Sequence, residues 1–142
     1  MDKKKDLAIK LRTSGLRPTK QRIKLAEFLF NREKTFHFTV ENLDRSINKR
    51  NSEDKIALAT IYNTVHAFKK AGHLKEILIK EGKNYFDTNT SSHHHFYDQA
   101  NNELTDIENN KVELKKFPTP PKGKSIKDVN VIINIDNDNQ KH

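Results

Sequence analysis

At Gly72 the spacing of apolar residues changes from a helical repeat to a strand repeat, and nothing else in the chain restricts its fold as much. Before it, Ile61, Val65 and Phe68 recur every three or four positions, which places them on one side of a helix predicted from Leu58 to Ala71. After it, Leu74 to Ile79 reads as a β-strand, Lys80-Glu81-Gly82-Lys83 as a tight turn and Asn84 to Asp87 as a return strand. Gly72 itself suits the left-handed backbone just past a helix end.

The segments upstream repeat the helical pattern. Leu7 and Leu11 fit one face of a short helix that Gly15 ends. Pro18 suits the first position of the next helix, whose broad apolar side is Ile23, Leu25, Phe28, Leu29 and Phe30. Thr39 is a good N-cap for a third helix carrying Val40, Leu43 and Ile47, and the polar stretch 48–55 reads as a loop. Helices followed by a hairpin tipped with Lys80 and Lys83 predict a winged helix whose wing lies along phosphate. Downstream, the β-branched run Val129 to Ile135 reads as a core or interface strand, and the Asn/Asp-rich end from Asn134 to His142 as a frayed tail.

Charge divides along the same line. Residues 1–83 hold 20 basic against 10 acidic side chains, whereas residues 84–142 hold 7 against 9. The first part is therefore expected to meet a polyanion, nucleic acid before membrane, with a solubilising lysine surface as the alternative. No apolar run approaches the roughly 20 residues that cross a bilayer, and no signal peptide opens the chain, so a soluble, cytoplasmic protein is expected. Zero cysteine removes disulfides, thiolate zinc sites and cysteine nucleophiles together.

Two features carry chemistry. On the Leu58–Ala71 helix, Ala59, Asn63, His66 and Lys70 point away from Ile61, with Tyr62 and Lys69 on the flank. That slim polar face suits a helix entering the major groove, and equally an ordinary solvated face. The second feature is His93-His94-His95. On a strand His93 and His95 share one face while His94 looks the other way, so the run splits into a pair and a single. A metal site needs further donors, and His37, Asp87 and Asp106 are candidates, Asp106 lying on a strand able to pair with 93–97. Imidazoles and carboxylates without sulfur suit Fe(II), Mn(II) or zinc.

With GLRPTKQR at 15–22, FTVENL at 38–43, ATIYNTVHAFKKAG at 59–72 and YFDTNTSSHHHFY at 85–97, the sequence resembles the ferric uptake regulator family. It looks most like the iron response regulator branch of alphaproteobacteria, over about Leu7 to Ile135. The resemblance implies an α+β chain: an N-terminal winged helix-turn-helix domain, 1–83, and a small α/β dimerisation and sensing domain, 84–142, with a tail frayed from about 136. It implies a homodimeric, non-enzymatic regulator of iron and haem genes that binds double-stranded operator DNA and no membrane. A peroxide- or manganese-responsive regulator is the alternative within the family.

Carried over by position, the metal ligands are His37, Asp87, His93, His95 and Asp106. Arg17 matches the basic residue inserted into the minor groove, with Arg22 beside it for phosphate. Thr60, Tyr62 and His66 belong to the recognition helix, where Asn63 replaces the more usual Arg and suggests a different operator preference. Haem is the other implied ligand, through His93, His94 or His95. His94 is otherwise expected to be a simple exposed histidine, or to join Glu113 in a second metal position. The helix that relatives carry before the last strand is expected to be short, near Asn109 to Lys116, because Phe117-Pro118-Thr119-Pro120-Pro121 cannot be helix interior. Outside the family, a metal-dependent nuclease or hydrolase and a passive metal-binding protein are the rival readings.

Overall fold

The computed structural model describes residues 3–49, 53–80 and 83–138. It divides into two compact units, residues 1–90 and 91–142. The division falls after the charge boundary at residue 83, since the strand that follows 83 is hydrogen-bonded into the first unit.

The first unit contains α1 (Lys3–Thr13), α2 (Lys20–Phe30), β1 (His37–Phe38), α3 (Val40–Ile47), α4 (Leu58–Lys70), β2 (Lys75–Lys80) and β3 (Lys83–Asp87). Local chemistry accounts for several of the helix ends. α1 and α4 both close in Schellman motifs, in which Gly15 (φ +87°) and Gly72 (φ +88°) take the left-handed conformation. Around Gly72, His73 N–H donates to the Phe68 carbonyl and Gly72 N–H to that of Lys69. α3 starts in a reciprocal capping box, with the Thr39 hydroxyl accepting from Asn42 N–H and the Asn42 side chain reaching back to Thr39 N–H. Pro18 is not the first residue of α2 as expected. It precedes the cap, and Thr19 accepts from Arg22 N–H because its hydroxyl satisfies a donor that a proline cannot.

Leu7, Leu11, Leu25, Leu29, Leu43, Ile61, Val65, Phe68 and Phe86 bury together in one apolar cluster, with Ile23, Phe28 and Phe30 packed on its margin. Burial of such side chains contributes ~1.5–3 kcal/mol each. The loop after α3 is pinned by Asn48, whose side chain donates to the Ile56 carbonyl and accepts from Ile56 N–H, both at 2.7 Å. β3 lies between β1 and β2 in an antiparallel sheet, which makes the unit a winged helix. Of the tight turn read at Lys80 to Lys83, Glu81 and Gly82 lie outside the described residues, as do residues 50–52 of the 48–55 loop.

The second unit is a sheet ordered β5-β4-β6, from β4 (His93–Asp98), β5 (Glu103–Glu108) and β6 (Ile132–Ile135). β4 and β5 form an antiparallel hairpin whose turn holds Asn102 at φ +56°, a conformation asparagine tolerates. The Tyr97 hydroxyl donates to Asn102 Oδ1 at 2.8 Å and ties the turn to the strand. β6 runs parallel to β4.

Three expectations for this unit change. Residues 109–116 form a single 3-10 turn at Asn109–Lys111, and Val112 is already extended, because the segment has neither a cap nor an apolar stripe to bury. The last strand covers Ile132–Ile135 alone, and Ile133 and Ile135 stay exposed, which goes against the core alternative and leaves the interface one open. Asn134 and Ile135 are part of that strand, where the Ile135 carbonyl accepts from Gln99 N–H, while residues 139–142 of the expected tail lie outside the described residues. No described helix is long and apolar enough to cross a membrane.

Candidate metal centre and nucleic-acid interface

Strand register assembles two groups of donors. In the first unit, His37 on β1 is the direct cross-strand partner of Asp87 on β3. His37 Nε2 lies 3.0 Å from Asp87 Oδ2, and Asp87 Oδ1 accepts from Asn89 N–H at 2.8 Å. The Asp87 carboxyl is fully buried, so these partners replace the water it has lost.

In the second unit, His93 and His95 project from one face of β4, with ring centroids 4.4 Å apart. Asp106 is the cross-strand partner of His95. Its Oδ1 lies 3.2 Å from Nε2 of both imidazoles. The other nitrogen of His93, Nδ1, is 2.6 Å from the Ser91 carbonyl, which can only accept. Nδ1 therefore carries the proton, and a neutral His93 turns an Nε2 lone pair toward a carboxylate oxygen. Two acceptors at that distance repel unless a cation, proton or metal, lies between them.

The spacing suits a metal as well as the donor chemistry does. Ligand atoms bound at about 2.1 Å and at right angles to one another lie about 3.0 Å apart. Both groups show that separation. Each would supply imidazole nitrogen and carboxylate oxygen to a hard or borderline divalent ion.

His94 departs from expectation. It is not an exposed imidazole but 3 % exposed, and its Nδ1 accepts from Val131 N–H at 3.0 Å. A neutral His94 is thus protonated at Nε2, a donor rather than a lone pair. Its burial was hidden because the packing partner lies 37 residues away on the approach to β6. His95, also considered as an exposed haem ligand, is 1 % exposed. Glu113, the suggested partner of His94, is exposed in the coil after the 3-10 turn.

The candidate DNA contacts all lie in the first unit. Ala59, Tyr62, Asn63, His66, Lys69 and Lys70 are exposed on α4, and Thr60 is half-buried. Arg17 is exposed between α1 and α2, and Arg22 donates from its guanidinium to the Arg17 carbonyl at 3.1 Å. That bond braces the loop from below, a role the spacing of the two arginines does not reveal. Lys80 and Lys83 face each other as the last described pair of the β2–β3 ladder.

A model of the ferric uptake regulator family matches residues 13–134. Among curated proteins, the peroxide-responsive repressor PerR of Staphylococcus epidermidis is 29 % identical over 97 residues, 68 % of this chain and 62 % of that protein. The PerR of Staphylococcus aureus is 29 % identical over 98 residues, 69 % and 64 %. The chain thus spans a little under two thirds of the length of these relatives. Among solved structures, the ferric uptake regulator of Pseudomonas aeruginosa with manganese aligns with a TM-score of 0.66 at 20 % identity, covering 91 % of this chain and 96 % of that one. A zinc-bound manganese uptake regulator aligns with a TM-score of 0.62 at 22 % identity, covering 96 % and 99 %. Likeness at that level of identity shows the fold.

Proposed function

We propose that this chain, which belongs to the ferric uptake regulator family, is a homodimeric DNA-binding transcription regulator controlled by a divalent metal ion. The observation that carries the reading is His93, whose proton is committed to Ser91 and whose other nitrogen meets a carboxylate oxygen. A bound divalent ion would satisfy both lone pairs at once and hold the second unit in a defined charge state. His37, Asp87, His93, His95 and Asp106 are its proposed ligands. Only residues 88–92 separate Asp87 from His93, so an ion held by both groups would fix the hinge between reading unit and sensing unit. A dimer reads two half-sites at a set spacing, so fixing the hinge sets DNA affinity.

Arg17, Arg22, Thr60, Tyr62, Asn63, His66, Lys80 and Lys83 are the proposed DNA contacts, and the basic balance of residues 1–83 supports them. The exposed Leu114, Phe117, Ile133 and Ile135 of the second unit supply apolar area for a second copy. The family consists of transcription regulators rather than enzymes, which sets aside the nuclease reading.

Iron is the proposed signal, and genes of iron and haem supply the proposed targets. A peroxide- or manganese-responsive regulator is the second reading, favoured by the names of the staphylococcal relatives. The matches favour no iron response branch over these. Haem is the weaker ligand at His94, because Nδ1 accepts from Val131 N–H and the neutral ring then keeps its proton on Nε2, leaving that nitrogen no lone pair for iron.

The test is retardation of duplexes selected from a random pool, titrated in parallel with Fe(II), Mn(II), Zn(II) and haem at one stated salt concentration. Retention that follows one metal, and is lost in the His93→Ala/His95→Ala variant, is the expected outcome. Retention indifferent to every metal and to that variant would overturn it, and cleavage of the duplex would reinstate an enzyme.

A further inference from the structure

On α4, Tyr62 and His66 stand one helical turn apart, the spacing at which side chains touch. Their rings stack at 5.5 Å between centroids with 29° between planes. His66 then meets Phe86 edge-on, at 5.9 Å and 88°. Phe86 is 2 % exposed, lies on the central strand of the first unit's sheet and stacks on Phe38 at 5.7 Å. The rings therefore form a column that starts in the core and ends at Tyr62, which is 44 % exposed.

Neither the Tyr62 nor the His66 side chain has a hydrogen bond or ion pair among the described residues. Beside the pair is a cleft of about 190 Å³ lined by Val40, Glu41, Asn84 and Phe86. That cleft adjoins the Tyr62 ring, which the His66 imidazole covers on one face.

We infer that His66 is a positioning residue for base readout: it acts as a flat wedge between Phe86 and Tyr62, and fixes the Tyr62 ring in the pose that meets a base edge. The inference rests on the DNA-binding reading above. It separates His66 from Asn63, whose amide can address a base directly. Stacking of this kind acts through ring area and geometry, so another aromatic ring serves in place of the imidazole. It also preorganises the reading side chain, which lowers the ordering cost of a specific complex and leaves phosphate contacts untouched.

The experiment uses the full chain with Mn(II), and a duplex enriched by the wild type from a random pool. His66→Ala should weaken that duplex about two- to twelvefold, the range that aromatic pairs contribute, and an unenriched duplex of equal length by less. His66→Phe should restore wild-type preference. On a Tyr62→Ala background, His66→Ala should add no further loss, the signature of a residue acting through its neighbour. Proton NMR of the Tyr62 ring should show its resonances displaced in His66→Ala and recovered in His66→Phe, while circular dichroism confirms that both variants fold. If His66→Ala keeps full preference, if His66→Phe fails to rescue, or if the two alanine effects add, the inference is wrong. If the wild type enriches no sequence at all, the regulator reading fails first and this one with it.

Discussion

The two units solve the problem of stability with different materials. The first buries a continuous set of leucine, isoleucine, valine and phenylalanine side chains drawn from four helices and a sheet. Among the described residues of the second, the buried apolar side chains are Tyr97, Leu104 and Ile107, and the remaining buried groups are His93, His94 and His95. Hydrocarbon needs no partner beyond more hydrocarbon. An imidazole buried to this depth needs its nitrogens satisfied, and at His93 Nε2 a proton or a metal ion between the ring and Asp106 would meet that need. On the proposed reading the first unit is self-sufficient, whereas the second would be conditional on what it binds, a division of labour that would suit a reader and a sensor.

That contrast is open to attack in several ways. The largest effect expected is on the self-sufficient side: Phe68→Ala should cost the first unit ~3–5 kcal/mol in denaturant unfolding, because a fully buried ring leaves a cavity. Amide protection along β4 and β5 should survive it, and collapse of both units together would mean that the second borrows its stability. Next in size is the ion itself. Mn(II) at about 100 times its Kd should raise the protection of β4 and β5 amides by ~2.7 kcal/mol over the chelated protein. An unchanged exchange rate there would break the claim of conditionality.

Smaller effects sharpen the picture. Thr39→Ala removes the hydroxyl of the α3 capping box and should lower first-unit stability by ~1 kcal/mol, read as a shift in its unfolding midpoint. Smallest is a pH effect at His73, which lies against Phe30 and Phe68 with Nε2 2.7 Å from the Ser14 hydroxyl. Burial, and secondarily the Lys10 charge, holds this imidazole below the ordinary histidine range. Above the unfolded value of about 6.5 both states are neutral and nothing is lost. As pH falls through that value the unfolded chain takes up a proton that the folded one refuses, so first-unit stability declines. His73→Gln should flatten the decline between pH 7 and 5 in thermal melts; an equally steep loss in the variant would assign it to other groups.

Much of this was legible in the sequence because short-range rules govern it. Thr39, Gly15 and Gly72 mark helix ends by local backbone chemistry, and Ile61, Val65 and Phe68 mark a buried face by spacing alone. Strand alternation separates His94 from His93 and His95, and the Asp106 pairing follows from a hairpin. What escaped depends on distant neighbours. Alternation assigns His94 to the opposite face without saying whether protein or water covers it, and the answer lies at Val131. The wedge role of His66 depends on Phe86 from another element, and the extended backbone at Val112 on the absence of anything for a helix to pack against.

One further result comes from the turn at Asn102. It brings His93 and His95 to Asp106 through a local hairpin, a connection that closes in ~1–10 μs. His37 and Asp87 meet across 50 residues of chain, a contact with a larger loop-closure cost. During refolding the two donor groups would therefore mature on separate clocks, and under the proposed metal reading a cation captured early would be captured by the hairpin.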